Sequence, residues 1–250
     1  NAIWKERMPN HTYNEYQIRK DEPVNARYYY RTNGLVNLDK SNMPSYQPEA
    51  YQKPGCPIIV DLNGDGLITV EDVDMKNVIP SLYWGFGNTF TYKNWDLDVF
   101  IYSQLGVDKY NDVYSWTSGR GLGNQTNNMS GYIQDVWHSE LNPNGTIPGI
   151  AYEMASVSLP GGAGTDIGYE NSSFVRVRNI TLGYNFKPNQ LGALSKLLSG
   201  IRVYVDVQNP FTFTGYTGLD PEVNTGGNYK GGKAEYPQTR TFSLGAKLSF

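Results

Sequence analysis

The closing segment, Thr241 to Phe250, alternates without a break. Phe242, Leu244, Ala246, Leu248 and Phe250 fall on one face, and Thr241, Ser243, Gly245, Lys247 and Ser249 on the other. A period of two is the period of a strand. A run of about ten residues is the length a tilted strand needs to cross a bilayer. The pattern recurs four times upstream. Ile201, Val203, Val205 and Val207 oppose Arg202, Tyr204, Asp206 and Gln208. Ile180, Leu182, Tyr184 and Phe186 form the apolar side of Asn179 to Phe186. Trp95, Leu97, Val99 and Ile101 oppose Asp96, Asp98, Phe100 and Tyr102, and Trp84, Phe86, Phe90 and Tyr92 oppose Gly85, Gly87, Thr89 and Thr91.

The connections choose between architectures. Lys93-Asn94 is a tight turn, and 187–200 is short. By contrast 105–173 and 214–238 are long, and segments of that length are foreign to a compact soluble domain. An outer-membrane barrel keeps short turns inside and long loops outside. Counting back from an inner C-terminus puts both long connections, and residues 19–80, outside. The expected fold is therefore all-β: an antiparallel transmembrane β-barrel segment, residues 81–250, preceded by an extracellular loop region, residues 1–80. Aromatic residues near the strand ends (Trp84, Tyr92, Trp95, Tyr184, Phe186, Phe250) suit interfacial girdles. A soluble β-sandwich with one wet face also alternates and stays open as an alternative, either as a calcium-stabilised carbohydrate-binding module or as a cell-surface adhesin.

Composition narrows the function. The 250 residues carry a formal net charge of −3 and no basic stripe, so nucleic acid is not an expected partner. Twenty Tyr, 27 Gly and 14 Pro favour strands and loops. No apolar run approaches the ~20 residues of a membrane helix. One cysteine, Cys56, excludes an internal disulfide framework and reads as an inert thiol. His11 and His138 stand far apart, without further ligands at zinc spacing. The chain opens on Asn1 with no signal sequence, as a processed or truncated chain would.

The sharpest local motif runs from Asp61 to Asp72 and fits a twelve-residue calcium loop. Asp61, Asn63 and Asp65 stand at positions one, three and five, and Gly66 permits the turn at six. Leu67 offers a backbone carbonyl at seven, and Asp72 closes the loop where glutamate is usual. The preceding residues 57–60 read as extended, and Thr69 with Asp72 forms a capping pair that predicts one helical turn. The same residues would also make a metal-free Asn/Gly/Asp turn. No catalytic constellation is apparent, and no enzyme is expected. The glycine-rich 119–123 lacks the strand-to-helix context of a phosphate loop, and sequons such as those at 10–12, 124–126 and 171–173 are what an Asn-rich chain yields by chance. Loop aromatics (Tyr114, Trp116, Tyr132, Trp137, Tyr216, Tyr236) could stack on sugars or a partner, loop packing being the plainer role of each.

Four stretches together resemble the C-terminal region of the SusC/RagA-like TonB-dependent transporters of Bacteroidetes outer membranes: Pro54-Gly55 with Asp61 to Gly66, Phe174 to Tyr184, Gln208 to Glu222, and Tyr236 to Phe250. The resemblance runs from about residue 20 to the end. It implies a barrel of about 22 strands with an N-terminal plug, importing oligosaccharides or peptides with energy from TonB, and capped by a SusD-like lipoprotein. Loops would be exposed on the cell surface. This chain would supply the C-terminal wall, and five or six strands cannot close such a barrel. Strand phase then places Asp96, Asp98, Tyr204, Asp206, Gln208 and Lys247 towards the lumen. Tyr216, Asp220 and Glu222 fall in an external loop where substrate or lid would sit. The terminal Phe250 would serve as the recognition end for membrane insertion.

Overall fold

The computed structural model describes residues 27–111, 114, 131–149, 159–160, 164–223 and 236–250. The described residues fall into two compact units. One lies within Asn1–Ile79 and Asp108–Glu170, the other within Pro80–Val107, Asn171–Asn224 and Glu235–Phe250. The glycine-rich 119–123, His11, Trp116 and the sequons at 10–12 and 124–126 lie outside the described residues.

The first unit is built from short strands: β1 (Arg27–Tyr30), β2 (Thr32–Leu35), β3 (Pro57–Ile59), β4 (Val73–Lys76) and β7 (Asp108–Tyr110). β1 pairs antiparallel with β4, and β2 with β3. β7 pairs with β8 (Tyr169–Asn171). Tyr28, Tyr30, Tyr51, Cys56, Ile59, Val73 and Leu159 form its core. Trp137, a half-buried loop aromatic, packs its ring on Gly55, where a Cβ would lie 2.3 Å from it. That is loop packing. Burial pushes the Cys56 thiol upward in pKa, which suits an inert group.

The second unit is one five-stranded antiparallel sheet in the order β11-β10-β9-β6-β5. Its strands are β5 (Leu82–Tyr92), β6 (Trp95–Leu105), β9 (Phe174–Phe186), β10 (Gly200–Thr214) and β11 (Thr241–Ser249). All five expected strands are present. β5 and β6 join through Lys93-Asn94, where Lys93 takes φ +56°.

Two strands run further than alternation predicts, and one irregularity accounts for both. Phe100 pairs with Asn179 while the next residue, Ile101, pairs with Val177, so Arg178 is an extra residue in β9. Opposite it, β10 carries Asn209 and Pro210 between Gln208 and Phe211. Asn209 adopts φ +50°, a left-handed conformation asparagine tolerates. Proline lacks the N–H a regular ladder needs, and a bulge relieves it of that duty.

The sheet has two chemically distinct faces. Register aligns Phe90, Leu97, Leu182, Val205 and Leu244 in one row, and Tyr92, Trp95, Tyr184, Val203 and Ala246 in the next. Phe86, Ile101, Val177 and Phe211 continue that face beyond the bulge. These side chains are open to the surroundings: Phe90 is 57 % exposed, Phe213 63 % and Leu244 77 %. Among the described residues no second layer covers them. A sandwich would bury this face, as burying apolar area is what holds a soluble sheet together.

Candidate functional site

The opposite face is polar and internally satisfied. One row reads Thr89, Asp98, Thr181, Asp206, Ser243. In it Thr89 donates to Asp98, and Thr181 donates to Asp206 at 2.6 Å. The neighbouring row reads Thr91, Asp96, Gly183, Tyr204, Gly245. Here Asp96 on β6 is bridged to Arg202 on β10 across the intervening β9. Gly183 makes the crossing physically feasible. A Cβ there would lie 2.6 Å from the Asp96 carboxylate and 2.7 Å from the Arg202 guanidinium. Asn185 adds a 2.6 Å bond to Asp96. The Arg202 guanidinium also stacks over the Tyr204 ring at 5.0 Å, and that ring occupies the space a Cβ at Gly245 would need. Lys247 pairs opposite Arg202 in register, and Gln208 stands opposite Asn179.

Beyond the bulge, this face ends in a buried ion cluster. The Arg176 side chain is 2 % exposed and donates to Asp220 at 2.8 Å, to Glu222 at 2.6 Å and to Thr212 at 2.9 Å. Arg178 donates to the other Glu222 oxygen. The cation also lies 5.2 Å from the Phe174 ring centre. Asp220 further accepts the N–H groups of Glu222 and Gln238, at 2.8 and 2.9 Å. One carboxylate thus ties the start of the β10–β11 connection to its end and both to β9. Burial alone would raise the Asp220 pKa. The Glu222 N–H, the Arg176 guanidinium and the Gln238 N–H outweigh it and hold the group below the usual carboxylate range. Tyr216 takes the plainer of its two expected roles, loop packing: it is 6 % exposed and packs over Gly218. Tyr236 remains 81 % exposed.

In the first unit, residues 61–72 fold as a chain of side-chain-to-backbone turns. Asp61 accepts the N–H groups of Gly64 and Gly66 at 2.7 and 2.8 Å, and the Gly66 bond leads the interactions that keep its pKa below the usual range. Asn63 accepts from Asp65, and Asp65 from Leu67. Gly64 and Gly66 take φ +78° and +82°, angles that side chains disfavour. Asp72 is fully buried and accepts from Leu62, Asn63 and Thr69. The capping pair therefore forms, but the expected helical turn does not extend: Val73 already begins β4. A β-strand draws the chain on before a helix can repeat its hydrogen bonds. Among the described residues no three His, Cys, Asp or Glu side chains converge as a metal cluster. Asp61, Asn63 and Asp65 bring two carboxylates and one amide oxygen to the exposed part of the loop, beside the Leu67 carbonyl.

Comparison with known proteins places this arrangement. No family model matches the chain. It is 33 % identical over 208 residues to the TonB-dependent receptor SusC of Bacteroides thetaiotaomicron, across 81 % of this chain and 19 % of that protein. It is 28 % identical over 243 residues to the TonB-dependent receptor P3 of Formosa agariphila, across 93 % of this chain and 23 % of that protein. The chain is SusC/RagA-like. It spans less than a quarter of the length of either relative. A structure of the RagAB peptide transporter shares its fold, with a TM-score of 0.62 and 24 % identity over 90 % of this chain and 23 % of that one. The "closed-closed" RagAB peptide importer gives a TM-score of 0.64 at 23 % identity, over 95 % and 24 %.

Within this SusC/RagA-like fold, Asp96, Asp98, Tyr204, Asp206, Gln208 and Lys247 do share one sheet face. Asp220 and Glu222 converge on one partner, Arg176, and are not separate loop groups. Alternation missed Arg176 and Arg178 as site residues because the bulge interrupts the phase that would have revealed them. The available signal was chemical: two arginines set among the valines and Phe174 at the start of a strand, matched by Asp220 and Glu222 in a nearby loop.

Proposed function

We propose that this chain is the C-terminal barrel wall of a TonB-dependent transporter in the bacterial outer membrane, importing oligosaccharides or peptides. The observation that carries this reading is the uncovered apolar face running across all five strands, backed by a polar, hydrogen-bonded face. Lipid is the covering such a face requires. Likeness to proteins named as TonB-dependent receptors, and the fold shared with the RagAB transporter, support the same reading. Asp96, Asp98, Tyr204, Asp206, Gln208 and Lys247 then line the lumen. Tyr216, Asp220 and Glu222 lie on the external side, below a SusD-like lipoprotein lid. Plug, TonB contact and the remaining strands belong to the rest of the protein, and the wall itself performs no catalysis.

The 61–72 loop takes a calcium ion in this reading, on Asp61, Asn63, Asp65 and the Leu67 carbonyl. A carboxylate has about four acceptor sites, so those already bonded to N–H groups keep lone pairs for a cation. Asp72 folds the loop as a buried N–H acceptor.

A charge placed on each face tests the membrane assignment. Val205→Arg should cost about 2–4 kcal/mol of stability, as arginine does at the bilayer midplane. Ser243→Arg, on the polar face, should be tolerated. Equal effects, or recovery of the native protein in the soluble fraction, would overturn the assignment.

A further inference from the structure

The connection between β9 and β10 contains two 3₁₀ turns, Pro188–Gln190 and Gly192–Lys196. Three residues per turn put Leu194 and Leu197 on one side of the second turn. Leu194 is 51 % exposed and Leu197 73 %. Exposed leucines in a short polar connection call for an explanation, and the side-chain bonding supplies one. The Gln190 amide donates to the Tyr184 hydroxyl at 3.2 Å and accepts from Asn94 at 2.7 Å and from the Lys187 N–H at 3.0 Å. Asn94 also donates to the Tyr184 hydroxyl at 3.3 Å. Tyr184 belongs to the apolar row of Trp95 and Val203. Its ring packs edge-on against Trp95 and Phe186, with centroids 4.8 and 4.7 Å apart. The first of the two turns is thus fastened to the apolar face, at the end where Tyr92, Trp95, Phe186 and Phe250 also emerge, and the leucines follow it in the chain.

We infer that Leu194 and Leu197 form an interfacial anchor seated in the boundary layer of a phospholipid bilayer. The inference rests on the reading that the sheet spans a membrane. Continuity with the apolar face selects lipid as the occupant. The leucines follow in the chain on Gln190, which is bonded to a surface that ends in aromatic rings, among them Tyr184 with its hydrogen-bonded hydroxyl, the chemistry of the zone between acyl chains and headgroups. Lys196, beside Leu197, can lay its stem along that surface and carry its ammonium to a headgroup phosphate.

The test uses the full-length protein in phospholipid nanodiscs, with Cys56 and any other cysteine replaced. A polarity-sensitive fluorophore is attached singly at Leu194→Cys, Leu197→Cys or Val205→Cys. Spin-labelled lipids carry the quencher near the headgroup or deep in the acyl chain. The anchor predicts blue-shifted emission at Leu194→Cys and Leu197→Cys, with more loss to the shallow quencher than to the deep one. Val205→Cys should show the reverse order. If Val205→Cys is quenched by the deep label while the leucine positions respond only to aqueous iodide, the anchor is wrong and the membrane reading stands. If the leucine positions are shielded from lipid and iodide alike, a protein partner covers them and the anchor is again wrong. If Val205→Cys escapes both lipid quenchers, the membrane reading falls and takes the anchor with it.

Discussion

Replacing Arg176 by methionine should be far more damaging than replacing its neighbour Arg178. The Arg176 side chain is 2 % exposed, and its partners Asp220 and Glu222 are 5 % and 16 % exposed. Methionine keeps much of the bulk and removes the charge, so Asp220 is left buried without its cation and Glu222 keeps only Arg178. Removing one partner of a buried pair typically costs about 3–5 kcal/mol. Arg178 is 31 % exposed and shares only Glu222, so Arg178→Met should cost about 1 kcal/mol or less, as partly solvated pairs do. Asp220 also holds the Glu222 and Gln238 N–H groups. The damage should therefore surface first as release of the β10–β11 connection. Limited proteolysis of that connection, read beside urea unfolding in lipid, separates local from global loss. pH gives a second handle. The folded-state pKa of Asp220 is depressed. Its contribution is therefore present above the unfolded value of about 3.9 and is lost as pH falls through the lower folded value. In Arg176→Met the Asp220 carboxylate loses the guanidinium that held its pKa down, so it takes up its proton more readily as pH falls and the gap between variant and parent should narrow in acid. Equal costs for the two arginines, or a gap independent of pH, would refute the argument.

Two further outcomes follow from the geometry. Gly183→Ala should destabilise the parent by about 1 kcal/mol, because the loss of charge-assisted bonds across the strand exceeds the gain from stiffening a glycine. In an Asp96→Asn, Arg202→Gln background the same change should be neutral or stabilising, and equal effects in both backgrounds would rule out the steric reading. Chelation should lower the melting temperature of the parent and of Asp72→Ala differently: Asp72→Ala should be unstable with or without calcium, whereas Asp61→Ala should be indifferent to chelator. No shift on chelation of the parent, with no calcium found by elemental analysis, would dismiss the metal.

Five strands, the turn at Lys93-Asn94 and the division into two faces were legible because period-two alternation is a direct imprint of a sheet with unlike environments on its sides. The strand ends were less legible. Asn209-Pro210 reads as a breaker, yet a bulge absorbs it, and β10 continues to Thr214. The lumen-side candidates were found as positions, without their partners. Nothing in the local sequence states that Asp96 reaches past Gly183 to Arg202, since the two are joined only by the register of three strands. Tyr216 shows the same limit: a tyrosine between Gly215 and Thr217 leaves ligand stacking and loop packing both open in one dimension, and packing over Gly218 decides for the second.

The bulge at Arg178 does more than extend β9. In that strand Ile180, Leu182 and Tyr184, at even positions, belong to the apolar face. Strict alternation would send Arg176 the same way, setting a guanidinium on the apolar side between Ser103 and Phe211. One extra residue reverses the phase, so Val177 and Val175 pair with Ile101 and Ser103 on the apolar face while Arg176 aligns with Tyr102 and Thr212 on the polar one. Ser103, the polar intruder on the apolar side, is fully buried and spends its hydroxyl on the Phe174 carbonyl at 2.7 Å. The sequence from Phe174 to Arg178 therefore makes sense only with the bulge in place. The same irregularity that hides the strand from a periodic reading is what delivers Arg176 to Asp220 and Glu222.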